Sequence, residues 1–163
     1  AGILFLELLK STNLTVNNFQ PLKILDYGCG TGRVSRFVAL TGAKVTGYDP
    51  TLECILEAAD EGTRAPATSL VPVKFTSEFS EVGDNFDMVF CINVLDHLTM
   101  DEHHIAISNI TKSLKEGGVC YLWVHKNSHL PIKDSSTIRQ QSTNVVIIKG
   151  TKINGTIQSY EKA

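Results

Sequence analysis

The sequence of 163 residues predicts an α/β fold built on a doubly wound, mostly parallel sheet that ends in a C-terminal antiparallel hairpin. Three observations carry that prediction. Apolar runs rich in branched residues alternate with segments of helical period, the pattern of successive βα units. A glycine-rich turn, "DYGCGTG", joins the first such run to the first helical segment. The tail "NVVIIKGTKINGTIQSY" holds two β-rich runs about Asn154-Gly155, a strong short-range hairpin signal.

The elements follow in order. The opening "AGILFLELL" is apolar but shorter than the roughly 20 residues of a membrane span, and no basic segment precedes it, so residues 1–20 read as an amphipathic helix and linker. The chain starts on Ala1 without a methionine, as a trimmed sequence or a piece of a longer one would. Lys23–Tyr27 is the first strand, and residues 32–41 form the helix after it, stopped by Thr41-Gly42. Lys44–Tyr48 is the second strand; Asp49-Pro50-Thr51 supplies turn and cap residues for a helix over 52–60, and 61–70 is a loop. Residues 71–76 make the third strand, with a polar turn, "SEFSEVGDN", beyond it.

The nearly continuous apolar run 86–94 suits a central strand buried on both faces. Residues 101–115 form a helix with Ile105, Ile107, Ile110 and Leu114 on one face, ending at Gly117-Gly118. Residues 119–125 are the fifth strand, with Tyr121 and Trp123 in the core, and 126–136 a polar loop before the hairpin at 137–160. Residues 23–125 thus carry the core βα units of one domain spanning 1–163.

Hydrophobic residues at 42%, charged residues at 20% and a net charge of −2 describe an ordinary globular chain without the basic footprint of a nucleic-acid or anionic-membrane binder. The cysteines, Cys29, Cys54, Cys91 and Cys120, include no C-x-x-C pair and have no histidines at zinc-finger spacing, so no metal site is expected. Reduced thiols and a cytoplasmic setting are the simplest reading.

Chemistry concentrates at the glycine turn. Gly28, Gly30 and Gly32 allow positive φ and a close backbone approach, and the helix that follows offers its positive end to a polar ligand. The spacing is G-x-G-x-G, however, with Arg33 where the dinucleotide fingerprint has its last glycine. Asp26, two residues ahead of the first glycine, would repel a pyrophosphate and attract a cation.

On "LDYGCGTG", "VTGYDP", "NFDMVFCINVLDHL" and "LKEGGVCYLWV", in that order and covering about residues 23–124, the chain resembles the class I S-adenosylmethionine (SAM) dependent methyltransferases. The resemblance implies a Rossmann-like methyltransferase fold, SAM as methyl donor and S-adenosylhomocysteine as product. It places Gly28, Gly30 and the backbone of Tyr27 and Cys29 against the methionine part, with Asp26 near its ammonium. Asp49 receives both ribose hydroxyls, and Tyr48 or Pro50, with Thr51, flanks the adenosine. Thr76, Ser77 and Glu78 occupy the adenine-contacting loop, without the frequent Asp-Ala pair. Asn93 and Val94 face the methionine moiety and the methyl group.

Methyl transfer from a sulfonium needs chiefly near-attack geometry away from water, and a base only where the acceptor must lose a proton. His97, just past the fourth strand, and His125, ending the fifth, are the candidate bases, although both suit packing or hydrogen-bonding roles. Adjacent histidines on a helix point about 100° apart, so Glu102-His103-His104 reads as a solvated face rather than a metal site. Cys29 reads as a small filler whose pKa a helix N-terminus would lower. The absence of an "N/D-P-P-Y/F" tetrapeptide after the fourth strand and the mild acidity point to a small-molecule acceptor, with no nucleic acid or membrane and an oligomeric state left open. A SAM-binding protein without transfer activity and a nicotinamide-dependent oxidoreductase are the competing readings.

Overall fold

A parallel three-stranded sheet forms the first of two compact units, Ala1–Gly83 and Asp84–Ala163. The computed structural model describes residues 22–64, 72–92, 94–125, 137–140 and 145–159. The amphipathic segment expected at 1–20, most of the loop at 61–70, the loop at 126–136 and Asn93 lie outside them.

In the first unit, β1 (Lys23–Tyr27) leads through α1 (Arg33–Ala39) to β2 (Lys44–Tyr48), then through α2 (Leu52–Arg64) to β3 (Lys74–Thr76). β2 pairs in parallel with both neighbours, with Tyr27 opposite Tyr48 and Tyr48 opposite Thr76, so the strand ends that carry the glycine turn, Asp49 and Ser77 come out side by side. Ile24, Leu25, Val38, Ala39, Val45, Ile55 and Ala58 are buried between strands and helices, as expected of a parallel sheet covered by its crossover helices. α1 begins one residue later than predicted because Gly32 caps it in the left-handed conformation, φ 83°. α2 runs four residues beyond its predicted end, through Gly62. Arg36 Nη2 donates to Glu61 Oε2 at 2.6 Å and its Nη1 to Ala58 O at 3.4 Å, which fastens the last turns to α1 and offsets part of the roughly 1 kcal/mol penalty of a helical glycine. β3 is shorter than predicted, starting at Lys74; Pro72 has no N–H to give a ladder.

The second unit pairs β4 (Phe86–Ile92) in parallel with β5 (Leu114–His125) across α3 (Met100–Ser113). β5 also pairs antiparallel with β7 (Val145–Ile153), which in turn pairs with β6 (Thr137–Gln140) and β8 (Thr156–Ser159). The C-terminal region therefore holds three antiparallel strands, one more than a hairpin. The turn at Asn154 (φ 52°) and Gly155 (φ 79°) joins β7 to β8, as the Asn-Gly signal predicts. Glu116 accepts hydrogen bonds there from Asn154 N and Gly155 N. Phe90, Tyr121 and Trp123 are fully buried, with ring centroids 6.0–6.5 Å apart, so the expected core placement of the two β5 aromatics holds.

Two expectations in this unit are corrected. α3 opens with a capping box, Thr99 and Glu102, and buries His103, Ala106, Ile110 and Ser113, leaving Ile105 60% exposed and Ile107 at the surface. Ile105 stands about 140° from Ile110 around the helix, too far to share its face. Gly117-Gly118 is not the helix stop. The helix ends at Ser113 and β5 starts at Leu114, after which the pairing jumps from Phe86–Leu114 to Met88–Val119, with Gly117 at φ 80° inside the irregularity. Among the described residues no helix is long and apolar enough to cross a membrane.

The register of α3 gives a direct test by urea unfolding. Ile110→Ala should cost about 2–4 kcal/mol by opening a cavity, and Ile105→Ala should stay within about 0.5 kcal/mol. Equal losses would refute the assigned face.

Candidate functional site

The glycine turn folds back over the end of β2. Gly28 N and Cys29 N both donate to Tyr48 O, at 2.7 and 2.9 Å, and Gly32 N donates to Cys29 O at 3.0 Å. Gly30 N donates to Asp49 Oδ2 at 3.0 Å. Gly28 (φ 79°) and Gly30 (φ 55°) take the left-handed conformation that this path requires. Four amides of the turn are thus engaged within the chain. These N–H groups are not free for a ligand, because Tyr48 O, Cys29 O and Asp49 have taken them. A phosphate would find few donors here.

Instead the turn is flanked by two carboxylates. Asp26, at the end of β1, is 2% exposed and accepts a hydrogen bond from the buried Ser35 Oγ at 2.7 Å. Its pKa is raised to about 6: burial is the main cause, hydrogen bonds from Ser35 pull it down, and the charge of Asp49 pushes it up. Asp49 is half-buried, with Oδ2 on Gly30 N and Oδ1 on Thr51 N at 2.9 Å. A carboxylate oxygen has two acceptor sites, so each still has one for a ligand hydroxyl. Asp49 N donates to Thr76 O at 3.2 Å, which brings the loop after β3 alongside. There Thr76 is buried, its hydroxyl accepting from Glu78 N and donating to Glu81, both at 3.1 Å, while Ser77 is half-buried and Glu78 exposed.

The remaining predicted residues divide. Tyr27 and Tyr48 are buried against each other and Phe79, centroids 5.1 to 6.3 Å apart, so their rings are core and only their backbone is at the turn. Pro50 is exposed. Cys29 is half-buried, and its thiol is pushed above the ordinary range by burial and then by the charges of Asp26 and Asp49. The shift is opposite to the expected lowering by a helix terminus and favours the protonated thiol.

In the second unit, Val94 is half-buried just ahead of a 3₁₀ turn, Leu95–His97, and His97 is exposed. His125 closes β5, with only its backbone described. His103 is not on a solvated face: it is 9% exposed, and its ring Nε2 bonds Leu95 O, tying α3 to that turn. Among the described residues no group of three or more His, Cys, Asp or Glu is placed to hold a metal.

Sequence reasoning missed three contributors. Ser35 lies nine residues past its partner Asp26, and a serine one turn into the helix was the available signal. Arg36 Nη1 donates to Thr31 O at 2.9 Å, holding the turn to α1. Phe75 packs where Gly32 and Gly47 lack side chains, with Cζ 2.5 Å from an ideal Gly32 Cβ and Cδ1 2.6 Å from that of Gly47. No local pattern announces it.

A family model described as a methyltransferase domain matches residues 24–118. The chain is 31% identical over 93 residues to the magnesium-protoporphyrin O-methyltransferase of Synechocystis sp., covering 57% of this chain and 40% of that protein. It is 34% identical over 107 residues to the ubiquinone biosynthesis O-methyltransferase of Rhizobium etli, covering 63% of this chain and 41% of that one. It thus spans about two fifths of the length of these curated relatives. The crystal structure of magnesium protoporphyrin IX methyltransferase from Synechocystis with bound SAM aligns with a TM-score of 0.65 at 21% identity, over 83% of this chain and 72% of that one. The likeness shows the Rossmann-like, mostly parallel fold that the sequence predicts.

Burial keeps the proton on Asp26 in the folded chain, so between about pH 4 and pH 6 the folded state binds more protons than the unfolded one. Its contribution to stability therefore declines as pH rises across that window. Against the wild type without ligand, Asp26→Asn should gain about 1–3 kcal/mol between pH 4.5 and pH 7.5 in urea unfolding. A difference that does not change with pH would mean that this carboxyl titrates normally.

Proposed function

The chain belongs to the methyltransferase-domain family, among the class I SAM-dependent members, and on that premise we propose that it transfers a methyl group from SAM to a small-molecule acceptor. The observation that carries this reading is the glycine turn itself: its amides are engaged inside the chain, and carboxylates stand on both sides. SAM presents an ammonium, a carboxylate, a sulfonium and one ribose, with no phosphate, and its net positive charge suits a turn flanked by two aspartates.

The residues present fit that cofactor. Asp26 faces the ammonium, whose charge favours ionisation of the buried carboxyl. Asp49 keeps one acceptor site per oxygen for the two ribose hydroxyls, a charge-assisted pair. Gly28, Cys29 and Gly30 lie along the methionine part, and an ideal Cβ on Gly30 would have nothing within 4 Å, which leaves that side open. Pro50 and Thr51 border the adenosine, and Thr76, Ser77 and Glu78 its base. The sequence motif alone assigns Asn93 and Val94 to the methyl group and offers His97 and His125 as candidate bases for an acceptor that must lose a proton. When bound, SAM supplies an electrophilic methyl that the acceptor displaces in line, leaving S-adenosylhomocysteine. What this chain contributes is orientation and exclusion of water.

Both relatives are named for methylation of small molecules at oxygen, which supports a small-molecule acceptor over nucleic acid. Reduced thiols, as the sequence leads one to expect, suit a reducing compartment such as the cytoplasm.

Calorimetry with S-adenosylhomocysteine should show binding to the wild type and a loss of about 2–4 kcal/mol in Asp49→Ala. Unchanged affinity in that variant removes Asp49 from the ribose. With labelled SAM, transfer to a hydroxyl or amine among small-molecule acceptors is expected. Binding without transfer to any of them would leave a SAM-binding protein, and tight NADH binding without SAM binding would overturn the proposal.

A further inference from the structure

Phe75 fills the space of two absent side chains. On Gly47, its register partner in β2, an ideal Cβ would lie 2.6 Å from Phe75 Cδ1, 2.7 Å from Cε1 and 3.0 Å from Cys29 Sγ. On Gly32 it would lie 2.5 Å from Phe75 Cζ, 2.7 Å from Cε1 and 3.0 Å from Arg36 Nη1. One ring therefore touches strand β2, the cap of α1 and the region of the Cys29 thiol, and Gly32 sits between that ring and a guanidinium bound to Thr31 O. Gly30, two residues earlier, has nothing within 4 Å of its missing Cβ. The turn is thus packed on its Gly32 side and open on its Gly30 side.

We propose that Phe75 is a positioning residue for SAM: its ring, wedged between Gly47 and Gly32, sets the height at which residues 28–30 stand and so governs affinity for the amino-acid end of the cofactor. This rests on the cofactor reading above. The ribose end is held differently, by Asp49, whose carboxylate is fixed by Gly30 N and by Thr51 N at the start of α2. A change at Phe75 should therefore act unevenly along the ligand. S-adenosylhomocysteine and 5′-methylthioadenosine share the thioadenosine and differ in the amino-acid end, so their affinities separate the two effects.

The experiment is calorimetry of both ligands with the full chain as wild type, Phe75→Val, Gly47→Ala and the double variant. Phe75→Val removes the ring and puts a β-branched strand former in its place, and Gly47→Ala drives a methyl into the ring. Each single change should weaken S-adenosylhomocysteine roughly tenfold or more and 5′-methylthioadenosine less than about threefold. The double variant, in which the new methyl occupies the vacated ring space, should regain S-adenosylhomocysteine affinity over either single variant. If Phe75→Val does not fold, Phe75→Leu, which keeps the δ carbons and drops the outer ring, takes its place. Equal losses for the two ligands, unchanged S-adenosylhomocysteine affinity, or a double variant no better than the weaker single one would overturn the role of Phe75. A wild type that binds no S-adenosylhomocysteine would instead overturn the cofactor reading, and this inference with it.

Discussion

One backbone carbonyl organises the candidate site. Tyr48 O, the last of β2, accepts from both Gly28 N and Cys29 N, so the chain leaving β1 must fold sideways over its neighbour instead of running on. That fold-back needs positive φ at Gly28 and Gly30, and it delivers Gly30 N to the Asp49 carboxylate. Asp49 in turn fixes Thr51 N at the start of α2 and lies against the end of β3 through its own amide. Strand register, glycine spacing and the acidic residue after β2 are parts of one constraint: Tyr27 opposite Tyr48 is what makes the carbonyl reachable.

Asp26 works against the fold that contains it. A carboxyl with almost no exposure and a pKa raised to about 6 is ionised near neutral pH only against the desolvation that burial imposes. Ser35 offsets part of this, and the charge of Asp49 adds to it. Such an arrangement costs stability, and on the proposed cofactor reading a nearby cation would offset that cost. A ligand ammonium would favour the ionised form, so cation binding and ionisation of Asp26 would be coupled. Local rules of sequence and fold are broken where function asks for it.

Much of the first unit was legible in the sequence because its signals are local. β1 and β2 fall on apolar runs bounded by breakers, and both were placed to the residue. The Asn154-Gly155 turn is likewise a two-residue code. What escaped was set by distant partners. α2 outruns Gly62 because Arg36 holds Glu61 from another helix. The buried face of α3 includes a histidine because Leu95 O waits opposite His103, and counting isoleucines alone could not locate it. At the site, the acidic and glycine positions were readable, but the destination of the turn's amides was not, since it depends on how β1 lies beside β2.

The same distinction changes what the three glycines mean. Read along the sequence, G-x-G-x-G is a bare backbone offered to a ligand. In the structure Gly28 answers to a strand carbonyl and Gly32 to an aromatic ring, and Gly30 has open space in place of a side chain. A loop that bound pyrophosphate would have to leave its amides free, because its affinity comes from those donors. Here the amides of residues 28, 29, 30 and 32 close on the protein, and the half-buried Asp49 beside them keeps acceptor character. On the proposed cofactor reading, preference for a cationic nucleoside over a dinucleotide would depend on the donors engaged within the turn as well as on the carboxylates beside it.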